Sequence, residues 1–315
     1  MITKTDSLVA FLLVCGLAAG SAAYTQIRSQ TQSTPTVSQT SIEKTIADLR
    51  STDPSRRESA ACDLKKMRAG AAPAIPALIG LLGDNSIIAN EKSCRQTRFG
   101  NLDGTEHSPA AAAVEALIAI GNPVVAPVID ALHSDQWLVR KNAVRVLGFR
   151  TDDRAIDPLI AALRDDAWQV RSEAATALGS YKDSRVVTAL IAALADQKWD
   201  VRSGAAVSLA NYKDERTVEP LIAATKDEAW QVRVDAVIAL AHIRDKKAVE
   251  PLIAALQDQV WQVRMEAALG LAHTGDERAI KPLTSALQDE NPGVRREAQS
   301  ALDQISRRTK FATRG

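Results

Sequence analysis

The residues of this chain best suited to chemistry recur on a fixed beat. Trp137, Trp168, Trp199, Trp230 and Trp261 stand 31 residues apart, and each is followed two and three places later by Val and Arg. Arg140, Arg171, Arg202, Arg233, Arg264 and Arg295 form one column, six residues behind Asp165, Asp196, Asp227, Asp258 and Asp289, with Ser134 in the aspartate place of the third unit. Tryptophan is suited to anchoring a partner, because its flat body buries a large area at low entropic cost while its N–H can still donate. It is equally suited to covering the seam between two packed units, and both readings stay open. The arginines read as a ladder of charge-assisted bonds that caps helices and fixes stacking register. An anion site is a poor reading of them, since each arginine already has an acid of its own.

A beat of this length signals stacked supersecondary units, none of which can bury its apolar face alone. Aligned on the tryptophans, the unit reads Asp-x-Arg-Ala-Ile/Val-x-Pro-Leu-Ile-Ala-Ala-Leu-x-Asp-x-x-Trp-x-Val-Arg-x-x-Ala-Ala-x-Ala-Leu. Pro127, Pro158, Pro220, Pro251 and Pro282 share a column that suits the opening turn of a helix, and only Ala189 breaks it. The Leu-Ile-Ala-Ala-Leu run places apolar residues at i, i+3 and i+4, so each unit predicts a helical hairpin. In the second helix Val170, Ala174, Ala177 and Leu178 share the face that must be buried, as do Val201, Ala205, Ser208 and Leu209 one unit on. Alanines recur at this seam (Ala143, Ala174, Ala205, Ala236, Ala267, Ala298), which allows close helix approach. The expected fold is all-α, an α-α superhelix of tandem hairpins.

Opposite that buried face the columns vary. They hold Gln169, Ser172, Thr176 and Ser180 in one unit and Asp200, Ser203, Val207 and Asn211 in the next. Then come Gln231, Val234, Ile238 and His242, followed by Gln262, Met265, Leu269 and His273.

The strings Asp152 to Leu163 and Val170 to Ala175 carry a resemblance to HEAT-like repeats of the phycobilisome-lyase type, covering roughly residues 41–305 and strongest over 122–305. That family includes bilin lyases, scaffolds and peptide-binding modules. The resemblance implies that second helices line a concave surface, so that the variable columns form the floor of a groove with the tryptophans at its rim or floor. With about 10 Å between units, the five tryptophans span roughly 40 Å, enough for an extended peptide of about a dozen residues. Iron-dependent deoxyhypusine hydroxylases share the architecture but rely on His-Glu pairs. Here the four histidines are followed by Ser108, Ser134, Ile243 and Thr274. His242 and His273 share a column without further ligands at hand, so neither metal nor cofactor is expected. No nucleophile elbow, phosphate loop, zinc spacing or paired-carboxylate constellation appears outside the ladder acids. The reading is a binding scaffold for a protein or peptide; a lyase-like or hydroxylase-like enzyme and a structural envelope spacer are the alternatives.

The ends and the composition complete this reading. Of 315 residues 39 are basic and 38 acidic, a net charge of +1 that offers no footprint for nucleic acid. Lys4, the apolar stretch Leu8 to Ala19 and Ser21-Ala22-Ala23 have the layout of a secretory signal over residues 1–23, with an uncleaved membrane anchor as the alternative. A polar linker follows over 24–40, and a basic tail closes the chain over 306–315. The first two units are irregular, and an insertion at about 85–107 interrupts the second before regular repeats set in from about 122. Export leaves Cys62 and Cys94 as an even pair in an oxidising compartment, so a disulfide is expected between them.

Overall fold

A computed structural model describes residues 39–88 and 108–312. The leader, nearly all of the linker and most of the insertion, with Cys94, lie outside the described residues. Residues Thr40–Gly315 make one compact unit, and the described residues form eight successive helix pairs with no strand. The first four pair α1 (Gln39–Asp48) with α2 (Pro54–Met67), α3 (Ile75–Gly80) with α4 (Pro109–Ile120), α5 (Val125–Ala131) with α6 (Trp137–Arg150), and α7 (Ile156–Ala162) with α8 (Trp168–Leu178). The others pair α9 (Ser184–Ala193) with α10 (Trp199–Leu209), α11 (Val218–Ala224) with α12 (Trp230–Ile243), α13 (Val249–Ala255) with α14 (Trp261–Thr274), and α15 (Ile280–Ala286) with α16 (Pro292–Ala312). The tandem all-α hairpins that the 31-residue beat predicts are present. The last helix continues to Ala312, into the segment read from sequence as a tail.

The proline column shapes the first helices. Each proline is the third residue of its α segment, and a short 3-10 turn such as Asp153–Ala155 or Lys246–Ala248 precedes that segment. A proline has no N–H to give to the carbonyl four residues back, and its ring crowds that carbonyl, so the turn ahead of it tightens. In the unit where Ala189 stands instead, α9 runs unbroken from Ser184. Asp152, Asp183, Asp214, Asp245 and Asp276 cap these starts, each accepting from the backbone N–H two residues on.

Packing sorts the helices into two layers. The second helices press against one another along the whole array, whereas first helices touch their neighbours less, so the second-helix layer is the compressed inner one. Small residues set that spacing. A Cβ added to Gly148 would lie 2.8 Å from the Cβ of Ala177, and one on Gly270 2.9 Å from the Cβ of Ala241. Between the layers Leu147, Leu178, Leu209, Leu240 and Leu271 have no exposure at all. Such a leucine contributes about 1.5–3 kcal/mol each by burial.

Candidate functional site

The arginine ladder runs between units, not within them. Arg140, Arg171, Arg202, Arg233 and Arg264 donate from Nε and Nη2 to both oxygens of Asp165, Asp196, Asp227, Asp258 and Asp289, over 2.7–3.0 Å. Each acid lies 25 residues ahead, in the following hairpin, so the sequence expectation that an arginine pairs with the aspartate six residues behind it is corrected. The unit's own turn supplies only carbonyls: Arg202 Nη1 donates to Asp196 O at 2.8 Å and Gln197 O at 3.2 Å. Even the irregular first unit conforms, with Arg57 Nε 2.6 Å from Asp84 Oδ2. The aspartates do not cap helices in the strict sense; Asp227 Oδ1 accepts from Ala229 N, one residue ahead of the helix start at Trp230. Burial alone would push the Asp227 carboxyl up, but the bonds from Arg202 and Ala229 and the charges of Arg202 and Arg233 outweigh it and hold the group below the usual aspartate range.

A second ladder escaped the sequence reading. Arg154, Arg185, Arg216 and Arg278 pair with the capping aspartates two residues before them. Arg185 and Arg278 also reach Asp157 at 2.7 Å and Glu250 at 2.9 Å in the preceding hairpin. The Asp-x-Arg string that opens each unit was its signal. These pairs are exposed and add little to stability.

Each tryptophan is the first residue of its second helix. The five are not equivalent: Trp137 and Trp199 are 42% and 41% exposed, while Trp230 and Trp261 pack against the core and Trp168 is half-buried. Of the variable columns, Gln169, Gln231 and Gln262 are half-buried on the first turn, Thr176 is exposed, and Val207, Ile238 and Met265 are half-buried. His242 is exposed and His273 half-buried. Burial, with the charges of Arg244, His242 and Arg308, holds the His273 imidazole below its usual range. Val234 is a correction, because it is 7% exposed and belongs to the core. Its column is a seam with the following helix, as its polar members show: Ser172 Oγ donates to Asp200 O at 3.2 Å, and Ser203 Oγ donates to the Asp235 carboxylate.

One column went unread. Glu173, Asp235, Glu266 and Glu297 occupy the fifth place after Trp, or its equivalent, and Gly204 fills that place in the unit between the first two. Glu173 is paired bidentately with Arg145 at 3.0 and 2.8 Å, and Glu297 with Arg296 at 3.1 Å. Asp235 has only the Ser203 hydroxyl, and Glu266 has no hydrogen bond or ion pair among the described residues. Burial pushes Asp235 up to about 6. Burial, reinforced by the charges of Glu297 and Asp235, pushes Glu266 up to about 7. The 31-residue spacing of 235, 266 and 297 could have disclosed this column in the sequence.

Cys62 is buried on α2 and takes part in a disulfide. Cys94 lies outside the described residues, so their pairing is a matter for proposal. No group of three or more His, Cys, Asp or Glu among the described residues is arranged to hold a metal ion. A cavity of about 230 Å³ between α5 and α7, lined by Ile129, Pro158 and Arg140 among others, lies beside the arginine ladder and is smaller than a typical ligand pocket.

Comparison with known proteins follows the repeats. The HEAT repeats family matches residues 102–176, 156–233 and 218–303. No curated protein matches the chain in sequence. Among solved structures, YibA of Escherichia coli is 18% identical, covering 84% of this chain and 92% of that one with a TM-score of 0.58. Kap121p is 15% identical over 84% of this chain, with a TM-score of 0.65. Kap95p, solved with RanGDP, is 15% identical over the same share, with a TM-score of 0.61. The chain spans 33% of Kap121p and 42% of Kap95p. At such identities the likeness concerns the fold.

Proposed function

The chain belongs to the HEAT-repeat family, and on that premise we propose that it is a non-catalytic scaffold holding a protein or an extended peptide against the concave face of its second helices. One observation carries this reading. Residues that build the stack repeat from unit to unit, while the exposed and half-buried columns of the second helices vary, from Thr176 to Val207 in one column and from Gln169 to Asp200 to Gln231 in another. A surface that varies on an invariant frame is what selective recognition requires. Kap95p, of similar fold, binds RanGDP, which gives a protein partner for such a fold a precedent. The half-exposed Trp137 and Trp199 supply aromatic area at the edge of that face. Within the family, the likeness of the Asp152 to Leu163 motif to repeats of the phycobilisome-lyase type supports that finer assignment as a proposal.

We propose further that residues 1–23 export the protein and that Cys62 pairs with Cys94, closing a loop of about 30 residues across the insertion at a gain on the order of 3 kcal/mol. Amino-terminal sequencing of the mature protein should begin near Tyr24, and a thiol titration in denaturant without reductant should find neither cysteine free. The scaffold reading is tested by capture from an envelope extract, comparing the intact array with one carrying charged substitutions at Thr176, Val207 and Ile238. A folded triple variant that captures the same proteins in the same amounts would overturn it.

A further inference from the structure

The offset between neighbouring second helices is fixed by two contacts. Arg145 meets Glu173 across 28 residues, and a Cβ on Gly204 would lie 3.2 Å from Thr176 Oγ1, again across 28 residues. The same offset sets Val207 beside Asp235 and Ile238 beside Glu266. Where one interface supplies the carboxylate with a guanidinium, the two that follow the Thr176–Gly204 interface supply an aliphatic side chain. The outcome is a half-buried apolar strip (Val207, Ile238) flanked by two carboxylates, neither of which has a cation among the described residues. Burying charge in that way costs free energy that a packing role does not repay. Burial holds both acids well above their usual range, Asp235 at about 6 and Glu266 at about 7.

We infer that this strip docks an extended cationic peptide segment, whose Lys or Arg side chains lay their aliphatic stems on Val207 and Ile238 and place their charges on Asp235 and Glu266, as Arg145 does on Glu173. The inference rests on the reading of the second-helix face as the partner surface, and it names the partner's chemistry. Successive second helices stand roughly 8–10 Å apart. In a polyproline II conformation residues i and i+3 share a face and are separated by about 9 Å, so one cation every third residue matches the stack. Long basic side chains suit such a strip because their stems are apolar and their heads are not.

The probe is a fluorescein-labelled peptide of four Arg-Pro-Pro triplets, titrated against the full chain by anisotropy, with Glu-Pro-Pro triplets as control. The arginine peptide should bind and the glutamate peptide should not. Asp235→Asn and Glu266→Gln should each weaken binding about tenfold. Ile238→Arg, which restores the pairing seen at Glu173 and is expected to fold at least as well as the parent, should weaken it by more. Equal binding of the two peptides, affinities unchanged by Asp235→Asn and Glu266→Gln, or no binding of the arginine peptide at all would overturn the inference. If the peptide fails while charged substitutions at Thr176, Val207 and Ile238 still abolish capture from extract, the cationic partner is wrong and the scaffold stands; if both fail, so does the scaffold.

Discussion

The guanidinium of Arg202 meets the carboxylate of Asp227 in two bonds of 2.7 Å, one hairpin further along the stack, with side-chain exposures of only 9% and 12%. The same guanidinium holds the turn carbonyls of its own hairpin. One side chain therefore ties a turn to its successor, and its equivalents repeat that tie along the array.

Arg202→Met leaves the Asp227 carboxylate half-buried with a backbone N–H as its remaining partner. We expect a loss of about 2–3 kcal/mol, toward the lower end for broken buried pairs because some solvent reaches the site. Replacing both partners, as Arg202→Met with Asp227→Leu, should recover more than half of that. Because repeat arrays need not unfold in one step, the readout is the urea midpoint followed by circular dichroism and by tryptophan fluorescence together. A single variant that unfolds at the parental midpoint would show the ladder to be decorative.

The two sets of carboxylates make opposite demands on pH. Asp227 and its equivalents have lowered values when folded, so their stabilisation is present above the unfolded value of about 4 and is lost as pH falls through the folded one. Asp235 and Glu266 are raised to about 6 and about 7, so the penalty of ionising them is absent below pH about 4, grows through the window, and is complete above pH about 7. Asp235→Asn with Glu266→Gln should therefore leave stability at pH 4 unchanged and raise it at pH 8 by about 1–2 kcal/mol. Urea titrations at pH 4, 6 and 8 decide this, and a double variant with the parental pH slope would refute it. Stability gained by removing a polar group is the mark of a residue kept for binding.

Much of this fold was legible because a beat is a one-dimensional property. Val170, Ala174 and Leu178 lie on one face of one helix, and periodicity alone finds them buried. What stacking decides was not legible. Asp196 is nearer to Arg202 in sequence, yet the side chain reaches forward across the seam to Asp227 and takes only the carbonyl of Asp196. Val234 reads as groove on a helical wheel, but the flank it occupies is covered by the following helix. Asp235 and Glu266 are 31 residues apart and become neighbours only when two hairpins are laid side by side, which is why their interaction went unread.

Two glycines test the compressed inner layer against the open outer one. A Cβ on Gly270 meets Ala241 at 2.9 Å and Leu252 at 3.5 Å, so Gly270→Ala forces α12 and α14 apart and should cost about 1–3 kcal/mol. Gly80, at the end of α3, has nothing within 4 Å of such an atom. There the alanine should be neutral or stabilising by up to about 1 kcal/mol, through helix propensity and a less disordered unfolded chain. Both follow from unfolding midpoints; equal effects at the two positions would mean that the inner spacing is softer than the contacts imply.

The tryptophans divide by environment, and so should their variants. Trp230 packs on the core at the start of α12, and Trp230→Ala should cost about 2–3 kcal/mol, below the range for a fully enclosed aromatic because part of the ring already meets water. Trp199, at 41% exposure, should lose less than about 1 kcal/mol on the same change. Near-neutral stability makes Trp199 the clean probe of recognition. If capture per folded molecule drops severalfold in Trp199→Ala, the exposed indole is an anchor, and a bulky aromatic left half in water is explained by its partner. If capture is unchanged while Trp230→Ala unfolds the array, the column serves packing alone, and the exposure of Trp199 reflects only a local difference in how one helix start is covered.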